Sequence, residues 1–230
     1  EAEVLYFAGC MGHLTPAVKR SMQLLLEDAG IRYRFIDEDG SICCGRPLML
    51  AGEVESARRL MEKNVALFKA TGARVLVTSC PICYKVFRED YPLTMEVMHH
   101  TAFLNQLVKE GRLRIEKSAE KLVYHDPCDL GRGSGEYRAP RELLAATGEL
   151  LEPHYTERYS LCCGGALGNF QLNYDTREKI TNDALRVLLA PRPDKLITAC
   201  PLCKKTFAKS STAPVLDIAE WLASSLTRQE

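Results

Sequence analysis

Ten cysteines occur as two copies of one five-member pattern. Cys10 precedes the adjacent pair Cys43 and Cys44 and then Cys80 and Cys83; Cys128 precedes Cys162 and Cys163 and then Cys200 and Cys203. Equivalent members lie 118, 119 or 120 residues apart, and no cysteine is left over. The chain therefore reads as a tandem duplication. An odd number of thiols gathered twice is a poor plan for disulfides. It is a good plan for metal centres that take several soft, anionic ligands.

The repeat extends beyond the cysteines. Val4-Leu5-Tyr6-Phe7 before Cys10 matches Leu122-Val123-Tyr124 before Cys128, and the strand-like run ending in Ser79-Cys80-Pro81 matches the one ending in Ala199-Cys200-Pro201. Apolar residues at three- and four-residue steps predict helices over 15–29, 53–70 and 174–189. Each copy closes with a further strand and helix, over 95–109 and 215–226. Strands alternating with helices imply an α/β fold: two similar Rossmann-like domains related by duplication, each a small parallel sheet flanked by helices. The polar stretch 111–121 (GRLRIEKSAEK) places the boundary, giving domains 1–117 and 118–230.

Composition narrows the function classes. With 30 basic against 30 acidic side chains, nothing marks a footprint for nucleic acid or an anionic membrane. The basic pairs Arg58-Arg59 and Lys204-Lys205 read as solvated faces. No apolar run is long enough to span a bilayer and no export signal is visible, so the cytoplasm is the expected compartment. A chain that opens on Glu1 and enters a strand at once reads as a segment of something larger.

In an open parallel sheet, ligands sit beyond the carboxyl ends of the strands, and Cys10, Cys80, Cys128 and Cys200 each follow a predicted strand. Cys43-Cys44-Gly45 and Cys162-Cys163-Gly164-Gly165 fall in loops where glycine lets the backbone turn tightly. The Cys-Pro-x-Cys segments open the next helix, whose free N–H groups favour thiolates. Zinc closes its shell with four ligands and leaves one thiol spare. A 4Fe-4S cubane also needs four, and five at fixed positions suits something larger or less regular.

The run Cys10…Cys43-Cys44-Gly45…Cys80-Pro81-Ile82-Cys83 and its repeat resemble the paired CCG cysteine-rich domains of heterodisulfide reductase and of the iron–sulfur subunits of glycolate oxidase, lactate-utilisation complexes and anaerobic glycerol-3-phosphate dehydrogenase. The resemblance covers essentially the whole chain, including Tyr124-His125-Asp126-Pro127-Cys128 and the 138–144 segment. It implies two 4Fe-4S clusters of the noncubane type, one held by Cys10, Cys43, Cys44, Cys80 and Cys83, the other by Cys128, Cys162, Cys163, Cys200 and Cys203. One cluster plus zinc is the alternative found among relatives.

The resemblance also implies an oxidoreductase of the disulfide-reductase kind, acting on a disulfide or thiol-linked substrate between the domains. The alternative is an electron relay between a flavoprotein dehydrogenase and quinone. The closely spaced cysteines of a ferredoxin are absent from this sequence, so a ferredoxin-like subunit or domain and a flavoprotein subunit are the expected partners.

Proton donors to such a substrate are sought among the histidines, which titrate near neutral pH. His125, three residues before Cys128, and His99, where the second copy has Asp217, are the catalytic candidates. Each reads at least as well as a histidine that caps a loop or bonds to backbone. His13, His100 and His154 carry only that structural reading.

Other signals are weaker. Gly131, Gly133 and Gly135 lack the spacing of a phosphate loop and read as loop flexibility or close approach to a cluster. Cys80/Cys83 and Cys200/Cys203 have thioredoxin-like spacing, which leaves the vicinal pairs unexplained. A secreted disulfide framework accommodates ten cysteines but not the chain's size or its lack of an export signal. Phe103 and Trp221 occupy equivalent positions and read as core.

Overall fold

The computed structural model describes residues 2–227. The first half runs β1 (Val4–Phe7), α1 (Gly9–His13), α2 (Pro16–Asp28), β2 (Tyr33–Phe35), α3 (Arg46–Leu50), α4 (Val54–Lys69), β3 (Val75–Thr78), α5 (Pro81–Glu89), β4 (Glu96–His99) and α6 (His100–Lys109). The second runs β5 (Lys121–His125), α7 (Gly131–Ser134), α8 (Arg138–Thr147), β6 (Glu149–Leu151), α9 (Tyr174–Leu189), β7 (Lys195–Thr198), α10 (Pro201–Phe207), β8 (Val215–Asp217) and α11 (Ile218–Ser224). Two short 3-10 turns, Glu157–Tyr159 and Leu167–Gln171, lie between β6 and α9.

Each half forms a four-stranded, all-parallel sheet, ordered β2-β1-β3-β4 and β6-β5-β7-β8. The central strands are short apolar runs because both sheet faces are covered. Their two-residue alternation separates two cores. Val4, Tyr6 and Val77 point into the same cluster as Leu122, Tyr124 and Ile197. Leu5, Phe7 and Leu76 face α4 and α5 instead, and Val123 and Leu196 face α9 and α10.

The two halves thus share a central core, and each keeps a core of its own on the other face of its sheet. Helices α2 and α11 pack together, as do α6 and α8, and these pairs are equivalent under the internal duplication. Phe103 and Trp221 lie in this layer as expected, and Trp221 Nε1 donates to Thr147 Oγ1 at 2.7 Å. The stretch 111–121 is more firmly attached than its polarity suggests. Leu113 is buried, Ile115 forms an antiparallel bridge with Leu226, and Glu116 N–H donates to the Ser225 carbonyl.

Two other expectations are corrected. Lys204 is not on a solvated face: its Nζ pairs with Glu220 at 2.6 Å, with both side chains largely covered. Arg58 does lie exposed, paired with Glu55 and Glu62 along its own helix. Gly131 and Gly133 are not a flexible loop but part of helix α7. A Cβ on Gly131 would meet the Tyr137 ring at 2.5 Å, so close packing explains that glycine.

Candidate metal centre

Every cysteine in the chain carries a free thiol. The four that follow strands sit at the carboxyl ends of β1, β3, β5 and β7. Cys80 and Cys200 are the N-cap residues of α5 and α10, each with proline at the first helical position. The vicinal cysteines approach from the loops before α3 and α9. Gly45 (φ +93°) and Gly164 (φ +86°) turn those loops in the left-handed region, and a Cβ on Gly164 would meet Thr181 Oγ1 at 2.6 Å.

In each half the five sulfurs form a connected string. Cys10 and Cys43, Cys43 and Cys44, Cys44 and Cys83, and Cys83 and Cys80 lie close enough to shift one another's titration. The second string runs Cys128, Cys162, Cys163, Cys203, Cys200. So many ionisable thiols in one place cannot all be charged, and protons are shared along the strings. Cys43 is pushed down to about 2 because Cys10 and Cys44 donate to it, while the contact with Cys43 pushes Cys10 up and Cys44 up to about 12. Cys162 is likewise pushed down to about 2 by Cys128 and Cys163, and both of those are raised. Cys80 is lowered, first by the Cys83 thiol and then by the N–H groups of Cys83 and Ile82 at the helix start.

Backbone donors complete the cradle. The N–H groups of Gly45 and Gly164 point at Cys43 Sγ and Cys162 Sγ at 3.3 and 3.4 Å, and Gly165 N–H points at Cys163 Sγ at 3.4 Å. Soft sulfur donors with N–H groups aimed at them suit a metal centre that takes several thiolate ligands. Among the described residues no group of three or more His, Cys, Asp or Glu side chains closes around a point as ligands of a single ion.

Residues that hold the cysteine loops were not evident in the sequence. Asn64 Nδ2 donates to the Cys43 carbonyl and Tyr91 Oη to the Cys44 carbonyl, both at 2.9 Å. Thr181 Oγ1 does the same for the Cys163 carbonyl at 2.8 Å. The one available signal is polarity on an otherwise apolar helix face, as at Asn64 between Leu60 and Phe68. Asp37, also buried, accepts from the N–H groups of Ala8 and Gly9 and so fixes the turn before Cys10.

The two histidine candidates are buried. His125 Nε2 donates to the Leu161 carbonyl at 3.1 Å, Nδ1 lies 3.3 Å from Thr198 Oγ1, and the ring packs edge-on against Phe207. His99 Nδ1 lies 2.8 Å from Thr101 Oγ1, with its ring against His100. Neither ring makes a hydrogen bond to a cysteine sulfur. His125 instead anchors the residue that precedes Cys162.

The two arrays lie side by side at one end of the molecule. Pro81 and Ile82 of the first half meet Pro127, Cys128, Cys163, Cys200 and Cys203 of the second around a space of only about 10 Å³. Lys85 Nζ donates across the junction to the Gly133 carbonyl at 2.9 Å. The space that Pro81 and Ile82 share with the second array is thus small. A cleft of about 320 Å³ opens beside the second array instead.

The sequence pattern of the CCG cysteine-rich domain matches twice, over residues 4–88 and 122–208. The chain belongs to the CCG cysteine-rich domain family. A component of the dihydromethanophenazine:CoB–CoM heterodisulfide reductase of Methanosarcina acetivorans is 31% identical over 95% of this chain, which covers 56% of that protein. The EtfAB:quinone oxidoreductase of Syntrophomonas wolfei is 31% identical over 96% of this chain, which covers 34% of it. The chain spans between about a third and three-fifths of the length of these relatives. Among solved structures, an aspartate racemase homologue from Pyrococcus horikoshii covers 97% of this chain, and the chain 96% of it, with a TM-score of 0.43 and 10% identity, too loose a match to bear on function. No helix among the described residues is long and apolar enough to cross a membrane.

Proposed function

We propose that this chain is the iron–sulfur redox part of an oxidoreductase complex. Each half, 1–117 and 118–230, holds one 4Fe-4S cluster of noncubane type on its own five cysteines. The observation that carries this reading is the pair of connected five-sulfur strings, each at the carboxyl edge of a parallel sheet. When bound, such clusters supply one-electron storage and transfer.

The residues described above then have distinct tasks. The N–H groups of Gly45, Gly164 and Gly165 offset charge on the sulfurs, and Asn64, Tyr91 and Thr181 fix the loops that carry them. His125 and His99 act by positioning the strands and loops around the arrays: both ring nitrogens of His125 meet Leu161 and Thr198, and Nδ1 of His99 meets Thr101, while its buried Nε2 has no partner among the described residues. A disulfide or thiol-linked substrate is the reading supported by the similarity to a heterodisulfide reductase component and by two intact cysteine sets. A relay toward quinone is the second reading, supported by the quinone oxidoreductase relative. Both readings require a flavoprotein partner and a ferredoxin-like subunit or domain, in a reducing compartment such as the cytoplasm.

Oxygen-free preparation followed by iron, sulfide and zinc analysis and electron paramagnetic resonance tests the reading. About eight irons per chain is the expected result, about four with zinc indicates one cluster only, and none overturns the proposal.

A further inference from the structure

The cleft beside the second array is more cationic than the equivalent positions beside the first. It lies at the junction of α1 with α10, roofed by Met11 and Leu14 next to Cys10 and floored by Gly164, Gly165 and Leu202 next to the second set of cysteines. Leu14, Phe170 and Tyr174 line its rim and are more than half exposed. Three cations, Arg177, Lys205 and Lys209, line it against one carboxylate, Glu178.

The duplication shows how unusual that charge is. Helices α4 and α9 have the same length and are offset by 120 residues, which makes Ala57 the counterpart of Arg177. By the same offset Lys85 corresponds to Lys205, and Glu89 to Lys209. In the first half Lys85 is neutralised by Glu89 at 2.9 Å. In the second half that acid has become Lys209 and Ala57 has become Arg177, while Arg58 has become the acid Glu178, so the net charge at these four positions rises from +1 to +2. Among the described residues none of Arg177, Lys205 or Lys209 makes an ion pair, and Arg177 leaves its buried Nε without a hydrogen-bond partner.

We propose that this cleft binds a small organic anion, with an apolar body against Met11, Leu14 and Phe170 and an oxyanion headgroup held by Arg177, Lys205 and Lys209. Unpaired cations around a half-buried apolar surface are the arrangement that recognises a carboxylate, sulfonate or phosphate on a hydrocarbon frame. The volume, about 320 Å³, falls within the range of small-molecule sites. Taken with the proposed redox role, on which this last step rests, the second array is the one that faces the substrate.

Calorimetric titration of the anaerobically prepared chain with hexanoate, and with hexanol as the uncharged comparison, tests the cleft. Hexanoate should bind saturably and weaken with added salt. The double variant Arg177→Gln/Lys209→Gln should weaken it about tenfold while leaving hexanol unchanged. Lys209→Gln alone, at an exposed position, should give a smaller loss in the same direction, and Arg58→Gln on the equivalent helix of the first half should give none. No saturable binding, equal binding of hexanoate and hexanol, or undiminished binding by the double variant overturns the proposal. In iron-loaded protein, hexanoate should shift the resonance that Cys162→Ser removes and not the one that Cys43→Ser removes; the reverse overturns the assignment of the second array as substrate-facing. Calorimetry reports the cleft even in a chain without iron, so failure of the redox reading and failure of this inference are told apart.

Discussion

His100 of the first half and Asp217 of the second meet across the shared core, Nε2 to Oδ1 at 3.0 Å, with neither side chain exposed. Asp217 also caps α11, its carboxylate accepting from the Ala219 N–H while Glu220 reaches back to the Asp217 N–H. Asp217→Ala removes a helix cap and leaves a buried imidazole without its partner, at a cost of about 3 kcal/mol. Urea unfolding monitored by circular dichroism checks this, and a single transition is expected because both halves contribute to the same core.

Arg141 grips Asp126 with two hydrogen bonds, at 2.7 and 2.8 Å, and extends to Glu152 and Thr156. The Asp126 side chain is only 2% exposed, so Arg141→Ala strands a buried carboxylate and destabilises the chain by about 3 kcal/mol or more. Arg141→Lys keeps the charge but loses the planar fork, and should recover less than half of that loss in the same unfolding measurement.

Burial, outweighing the bond to the Leu161 carbonyl, holds the His125 imidazole down to about 4, below the ordinary histidine value. Below the ordinary value the unfolded chain takes up a proton that the folded chain refuses. Stability is therefore unaffected by His125 above about pH 6.5 and falls as the pH drops toward 4, by about 2 kcal/mol between pH 7 and pH 5. His125→Gln should remove that part of the pH dependence, whatever its effect at pH 7, as read from unfolding curves at the two pH values.

Gly164→Ala should disable the second array while sparing the first. It costs about 1 kcal/mol for the left-handed backbone. The new Cβ would also meet Thr181 Oγ1 at 2.6 Å and the Arg177 carbonyl at 2.9 Å, forcing the Cys162-Cys163 loop to move. Gly45→Ala bears the backbone cost alone, since nothing lies nearer than 3.8 Å. Roughly half the iron and one of two resonances should be lost in Gly164→Ala, whereas Gly45→Ala should keep most of both.

The features legible in the sequence were those with strong local periodicity. Helix α9 spans the residues expected, and α2 and α4 lie within one residue of their expected ends. Strands β2 and β6, of three residues each, were missed. Helix α8 was noticed only as a motif. The shared core was not readable either: the apolar stripes on α2 and α11 show that each needs a neighbour but not which one. At the candidate centre, the cysteines announced themselves by repetition. Asn64, Tyr91 and Thr181 each act through one hydrogen bond to a backbone carbonyl, which leaves no mark on sequence spacing.

The alternation of Val4, Tyr6 and Val77 toward Leu122, Tyr124 and Ile197 has a consequence for how such proteins diversify. A single copy would leave that sheet face bare. Once fused, the copies could drift apart in surface and charge, as Glu89 and Lys209 have, but neither can be spliced out or exchanged alone without baring an oily seam to water. Any gene fusion that carries this unit into a longer polypeptide must therefore carry it as an inseparable couple.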